Sequence, residues 1–260
     1  MPLSSGKPLY FLSIPKTAGT TLYHILATYF PMDQVAPIQS LRKLIETPIG
    51  QIQRYRLIGG HYYYRVEPIL GVKPVYITMF RNPVDRVISY YAHILRNPTH
   101  YAYHRVHNQT LLEFTEDQEN LPLYANAQVR YLGLNRDILG VYKQLDRNSL
   151  SQNYFEQLME GFAPNGFYDE SYLECAKQRL KHFPFFGFKT WFDQSLQLLC
   201  RTFGWEIPKH YQKMMVNPNP FKSIDDKAVS NIRKQTELDH ALFEHALVEF
   251  KQKYQEKVLE

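Results

Sequence analysis

A loop that contains Lys16, Gly19 and three threonines follows the first apolar segment of the chain. Residues 13–21 read Ser-Ile-Pro-Lys-Thr-Ala-Gly-Thr-Thr. Glycine permits close backbone approach, a helix N-terminus and threonine hydroxyls donate hydrogen bonds, and Lys16 adds a mobile positive charge. These residue types together favour binding of a phosphate-like anion. The loop is not a Walker A sequence, because Lys16 precedes the glycine whereas GxxxxGK[ST] places the lysine at the helix start.

A second basic motif begins at Arg81, directly after the apolar run 75–80. Ser89 lies about two helical turns later, so its side chain can face the same side as the start of the helix. Arginine binds phosphate through two parallel hydrogen bonds. The motif therefore predicts a second phosphate site formed by Arg81 and Ser89. Arg86 is predicted to be a surface residue or a helix ion-pair residue, with Asp85 as its partner.

Strands and helices alternate along the chain. Apolar, β-branched and aromatic runs predict strands at 8–13, 54–58 (before the Gly59-Gly60 pair), 74–80 and 185–188. Helices are predicted at 22–26 with Thr20 or Thr21 as N-cap, at 84–95 and 191–203, and over most of 110–131, 150–182 and 224–256. The alternation predicts an α/β fold in one domain spanning 1–260. It would have a central, mostly parallel sheet, helices on both faces and a helix-rich C-terminal half, with ligands at the C-terminal ends of the strands.

Composition and charge narrow the possible functions. With 260 residues and 44% hydrophobic residues, the chain can bury a core and is not predicted to be disordered. Two cysteines give neither a disulfide framework nor a zinc motif. No apolar run approaches a membrane span, and no signal peptide is recognisable, so a cytoplasmic protein without a membrane anchor is expected.

The net charge of +5 is distributed unevenly. Residues 1–112 carry 12 Lys and Arg against 4 Asp and Glu, whereas residues 113–260 carry 18 against 21. A basic half predicts a polyanionic partner, which could be a nucleic acid, an anionic polysaccharide or a nucleotide.

The two basic motifs together resemble those of sulfotransferases. Residues 14–21 are similar to the family's 5′-phosphosulfate-binding loop, and residues 75–91 to its 3′-phosphate-binding strand and helix, in the same order and about 65 residues apart. Gly59-Gly60-His61-Tyr62 resembles an element of the branch that contains heparan sulfate 2-O- and 6-O-sulfotransferases. Segments 126–132 and 186–196 also resemble that branch. Lys189 and Trp191 depart from it, because relatives tend to show a Thr-Glu-Arg-Phe-like run there.

The resemblance implies the donor 3′-phosphoadenosine 5′-phosphosulfate (PAPS), the product adenosine 3′,5′-bisphosphate and no metal. It implies that Lys16 contacts the bridging and sulfuryl oxygens and that Arg81 and Ser89 hold the 3′-phosphate. The loop residues Thr17, Ala18, Gly19, Thr20 and Thr21 would hold the 5′-phosphate. Asn217 and Lys222 lie in the place of the family's basic loop that covers the donor. The implied acceptor is a hydroxyl group, with carbohydrate favoured and a small molecule as the alternative.

A histidine is predicted as the general base. His61 follows the second strand and should therefore lie at the ligand-binding edge, and an unperturbed imidazole pKa of about 6.5 suits this role. His93 is the alternative base. His24 is predicted to be packed inside the first helix, and His100, His104 and His107 to lie in a solvated loop.

Two other functions are consistent with parts of the sequence. A P-loop kinase that uses ATP shares the strand–loop–helix arrangement, although Lys16 is misplaced for it. A non-enzymatic binder of anionic polymers would use only the basic half. A nucleotide with two phosphates and a sulfate explains the basic excess better than a long nucleic acid, so no nucleic-acid partner is predicted.

Overall fold

The computed structural model describes residues 6–37, 41–134, 168–214 and 223–259, and its centre is a four-stranded parallel sheet. The strand order is β2-β1-β3-β4. Leu12 pairs with Gly60 on one side and with Thr78 on the other, and Phe80 pairs with Phe188. All four C-terminal ends therefore meet at one edge. The strands are β1 (Leu9–Leu12), β2 (Leu57–Gly60), β3 (Val75–Phe80) and β4 (Phe185–Phe188).

The strands form because their sequences are apolar on both faces, as a parallel sheet covered by helices requires. Every residue of β1, β2 and β4 is buried, and so is β3 after Val75. Three of the four predicted strands are confirmed, as is the α/β class with its parallel sheet. The bounds predicted for the second strand are wrong: β2 covers Leu57–Gly60 rather than 54–58, because Gly59 and Gly60 pair with Phe11 and Leu12 of β1 instead of ending the strand.

Helices surround the sheet and dominate the described part of the second half of the chain. Pro83 lies in the first turn of α5, as predicted, and Asn82 caps that helix through Oδ1. The predicted helical region 150–182 is confirmed for 170–180, whereas 150–167 lies outside the described residues. The helices are α1 (Gly19–Ala27), α2 (Leu41–Glu46), α3 (Ile49–Ile52), α4 (Glu67–Leu70), α5 (Pro83–Arg96), α6 (Tyr103–Val106), α7 (Leu111–Glu116), α8 (Leu121–Tyr124), α9 (Ala127–Gly133), α10 (Glu170–Leu180), α11 (Phe192–Phe203), α12 (Asp226–Gln235) and α13 (Glu237–Tyr254), with short 3₁₀ turns at Met32–Gln34 and Gln118–Asn120 and a π-helical turn at Gln255–Leu259.

The predicted N-cap of α1 is wrong. The helix begins at Gly19 after Ala18, which has a φ of 74° and provides no side-chain cap. The loop turns through this left-handed residue, so the helix starts before either threonine is reached. The Thr21 hydroxyl instead accepts a hydrogen bond from the Met214 N–H at 3.0 Å.

Two further predictions about single side chains are wrong. Arg86 is not a surface residue, since it is 1% exposed. Its position on α5 faces the helices packed against it, where its guanidinium donates to the Tyr124 carbonyl at 2.6 Å and lies 3.9 Å from Asp239. His24 is exposed rather than packed, because Leu22, Ile25 and Leu26 form the buried face of α1.

Candidate functional site: an anion-binding edge of the sheet

The site lies where the strand order reverses. From β1 the chain continues to β2 on one side of the sheet, while β3 and β4 lie on the other side. In open α/β sheets, ligands bind outside the C-terminal strand ends at such a reversal. The loops after β1 and β3 flank this point, and these are the loops that carry Lys16 and Arg81.

The loop after β1 has an unusual backbone. Lys16 and Ala18 have φ values of 72° and 74°, which cost about 1–2 kcal/mol for each non-glycine residue. Such conformations cluster at ligand-binding sites and turn successive N–H groups toward a common point. The buried Thr17 hydroxyl donates to the Ile14 carbonyl at 2.8 Å and so stabilises the turn. A Cβ at Gly19 would lie 2.1 Å from Ser13 Oγ, so a larger residue there would force the Ser13 hydroxyl to rotate away.

Arg81 joins the two motifs. Its guanidinium Nη1 donates to the Lys16 carbonyl oxygen at 3.1 Å. The two predicted phosphate motifs, far apart in sequence, are thus in direct contact at one edge of the sheet. The structure brings Lys16 and Arg81 together as the sequence predicted.

The charges around Lys16 are positive. Burial lowers the pKa of the Lys16 ammonium to about 8, and the positive charges of Arg96, Arg81 and Lys189 add to the effect. Burial likewise lowers the pKa of Arg81, and Asp85 opposes this shift. An anionic ligand would compensate this concentration of positive charge, so the electrostatics favour a ligand with several negative charges.

His61 follows β2 and reaches the loop after β1. Its Nδ1 lies 2.8 Å from the Ser13 carbonyl oxygen. A carbonyl can only accept, so Nδ1 carries the proton and Nε2 keeps its lone pair. The ring has solvent-accessible surface, yet the protein around it desolvates it enough to lower its pKa below 6.5, and the Lys16 charge acts in the same direction. His61 is therefore neutral at neutral pH, which is the state that a general base needs.

Two more histidines face the same charge. His93 and His100 have ring centroids 5.8 Å apart, and burial together with Lys16 lowers the pKa of each to about 4. His100 is not in a solvated loop as predicted, because the chain after α5 folds back so that its Nδ1 accepts the Ala102 N–H at 3.1 Å. His104 and His107 are exposed, as predicted, but His104 lies in α6 rather than in a loop. His93 stays the alternative base.

Of the other predicted site residues, two lie on helices and two lie outside the described residues. Ser89 lies on α5 and shares a helix face with His93 and Arg96, four and seven residues later. Thr20 is exposed in the first turn of α1. Asn217 and Lys222 lie outside the described residues, so their predicted role is neither supported nor contradicted.

Lys189 and Arg96 are two cations of the site that were not predicted. The Lys189 N–H donates to the Phe80 carbonyl at 2.8 Å, which extends the β3–β4 pairing and places Lys189 beside Arg81. Arg96 is the charged residue that most lowers the Lys16 pKa. Both residues could have been predicted from the sequence, because Lys189 directly follows the fourth strand and Arg96 follows Ser89 at helical spacing.

Within the described ranges, no three His, Cys, Asp or Glu side chains come close enough to hold a metal ion. The prediction that no metal is needed stays a prediction. Across the same residues, every helix is too short or too polar to cross a membrane.

Fold and site together define an α/β protein with a cluster of positive charges at the C-terminal edge of a parallel sheet. The chain is similar to heparan-sulfate 6-O-sulfotransferase 1 of Homo sapiens, with 27% identity over 202 residues that cover 70% of this chain and 44% of the relative. It is also similar to heparan-sulfate 6-O-sulfotransferase 3 of Mus musculus, with 28% identity over 200 residues that cover 69% of this chain and 38% of the relative. It thus spans less than half the length of these curated relatives. No protein-family model matches the chain. The similarities confirm the predicted resemblance to the heparan sulfate branch of the sulfotransferases.

Proposed function

We propose that the chain binds PAPS across the C-terminal edge of the sheet and transfers its sulfuryl group to an acceptor hydroxyl, with carbohydrate as the favoured acceptor class. The observation that carries the proposal is the hydrogen bond from Arg81 to the Lys16 carbonyl. This contact supports the proposal because it joins Arg81, which would bind the 3′-phosphate, to the loop that would bind the phosphosulfate. The similarity to heparan-sulfate 6-O-sulfotransferases supports the same reading.

The reaction would be an in-line displacement at sulfur. The acceptor oxygen forms a bond to sulfur, and the bond between sulfur and the 5′-phosphate oxygen breaks. His61 Nε2 takes the acceptor proton, and the products are a sulfate ester and adenosine 3′,5′-bisphosphate. Lys16 stabilises the charge that develops on the bridging oxygen, which is the main electrostatic requirement of such a transfer.

The direct test is incubation with PAPS labelled in its sulfuryl group and a panel of acceptors: desulfated heparan chains, neutral oligosaccharides and small phenols. The expected result is transfer of label to a carbohydrate, together with release of adenosine 3′,5′-bisphosphate. Magnesium-dependent transfer from γ-labelled ATP, with none from PAPS, would favour a kinase. Salt-sensitive heparin binding that survives Lys16→Ala, without any transfer, would favour a non-enzymatic binder.

We expect Lys189 to contribute to binding of the donor although its family position normally holds another residue. Lys189→Gln should weaken adenosine 3′,5′-bisphosphate binding about 3- to 10-fold, because one partly exposed positive charge beside Arg81 is lost. Isothermal titration calorimetry would measure the change. Lys181→Gln is the matched control, since Lys181 is exposed and bonds to Gln178 on the surface. Equal effects of the two substitutions would contradict a specific role for Lys189.

A further inference from the structure

We propose that Gln128 is a positioning residue that fixes Arg81 and thereby sets the preference of the site for nucleotides with a 3′-phosphate. Gln128 itself contacts neither the reacting atoms nor the proposed ligand. The inference rests on the proposed function. It gives a role to the segment 126–132, which carries no charged group directed at the site.

The Gln128 side chain holds both backbone groups of Arg81. Its Oε1 accepts the Arg81 N–H at 3.0 Å, and its Nε2 donates to the Arg81 carbonyl at 3.0 Å. Gln128 is fully buried. One amide thus pairs with Arg81 as a neighbouring strand would, at the point where the backbone leaves β3.

Gln128 is itself held by a buried carboxylate. Asp239, in the first turn of α13, accepts the Gln128 N–H at 3.1 Å and the Val129 N–H at 2.8 Å. In return, Asn126 Oδ1 accepts the N–H groups of Leu238 and Asp239 at 3.0 and 3.1 Å. The starts of α9 and α13 therefore fix each other through satisfied, buried hydrogen bonds, which leaves Gln128 little freedom to move.

Arg81 is consequently held at two points. Gln128 fixes its backbone, and the Lys16 carbonyl fixes its guanidinium. A guanidinium that is already placed loses less freedom on binding phosphate. Loss of the Gln128 contacts should therefore weaken the Arg81 interaction with a 3′-phosphate and leave the contacts of the β1 loop with the 5′ side unchanged.

The test compares affinities for adenosine 3′,5′-bisphosphate and adenosine 5′-monophosphate in the whole chain, measured by calorimetry. Gln128→Met keeps the length of the side chain and removes both hydrogen bonds. We expect the affinity for the bisphosphate to fall about 10-fold, because the lost preorganisation of Arg81 should cost as much as one strong hydrogen bond. The affinity for the monophosphate should change less than about 2-fold. With PAPS as donor, KM should rise while kcat stays within about 3-fold of wild type.

A matched control is Gln235→Met. Gln235 also uses its amide to join two elements, since it donates to the Thr115 carbonyl and accepts from the Tyr124 hydroxyl, but it does not touch Arg81. It should lower the melting temperature and leave the bisphosphate preference unchanged. If Gln128→Met does not fold, Gln128→Asn decides the question, because its amide is one methylene too short to reach both Arg81 atoms.

An unchanged ratio of the two affinities in the folded Gln128 variant would overturn the positioning role. A wild-type chain without preference for the bisphosphate is a different result, since it would overturn the proposed function itself. Failure of the positioning role would appear in the Gln128 variant, whereas failure of the proposed function would appear in the wild-type chain, so one experiment distinguishes them.

Discussion

Replacing Lys16 with alanine should lower kcat for sulfuryl transfer by about 10²- to 10³-fold, the usual cost of losing one preorganised charge at a developing anion. The affinity for adenosine 3′,5′-bisphosphate should fall less than in Arg81→Ala. The reason is that Lys16 would act where charge develops during transfer, whereas Arg81 would bind a phosphate whose charge does not change. Steady-state kinetics and calorimetry on both variants separate the two effects.

The pH dependence gives an independent check on Lys16. Burial and the neighbouring cations lower its pKa to about 8, so the ammonium form is lost as the pH rises through that value. kcat/KM, which reports the free enzyme, should therefore decline as the pH rises above 8. A bound anion favours the charged form, so the corresponding decline in kcat should occur at higher pH.

Lys16→Arg supplies the matched comparison. Arginine keeps its charge above pH 8, so the alkaline decline in kcat/KM should move upward even where the activity is reduced. Lys177→Ala, at a half-buried position of α10 where the lysine pairs with Glu174, should leave the whole profile unchanged. An alkaline decline that is identical in wild type and Lys16→Arg would assign the titration to another group.

Replacing His61 with alanine should lower kcat about 10²- to 10⁴-fold, the range for loss of a general base, and leave adenosine 3′,5′-bisphosphate binding near wild type. The Ser13 carbonyl fixes the Nδ1 proton, which leaves the lone pair on Nε2 for the acceptor proton. Transfer kinetics and calorimetry on His61→Ala would measure the two effects.

His61 also predicts an acid limb. Burial lowers its pKa from 6.5, so the neutral form that acts as base predominates at pH 7 and is lost as the pH falls through the lowered pKa. On the acid side, the activity of the wild type should decline only below pH 6.5, and this acid decline should be absent from the residual activity of His61→Ala.

His93→Ala and His24→Ala complete the comparison. His24 is exposed on α1, so its loss should have no effect on transfer. If His93→Ala loses transfer while His61→Ala stays near wild type, then His93 is the base and the assignment to His61 is wrong.

Much of the site could be predicted from the sequence because it depends on which residues follow each strand along the chain. The first three buried strands are followed by Lys16, His61 and Arg81, and parallel strands bring their C-terminal ends to one edge. The sequence therefore predicts that these three side chains lie at the same edge.

The rest depended on contacts between distant segments. Arg86 was misassigned because its partners, the Tyr124 carbonyl and Asp239, come from helices much later in the chain. The position of Lys189 beside Arg81 depends on the pairing of β3 with β4. The residues of a strand do not by themselves specify which strand it pairs with. The role of Gln128 is likewise visible only once α9 packs beside the end of β3.

The central claim is that this sheet edge recognises a nucleotide through its 3′-phosphate. Calorimetric titration of the wild-type chain with adenosine 3′,5′-bisphosphate, and separately with ATP and magnesium, tests it most directly. We predict binding of the bisphosphate at least 10-fold tighter than binding of ATP, and loss of that preference in Arg81→Ala. Tighter binding of ATP than of the bisphosphate would contradict the claim.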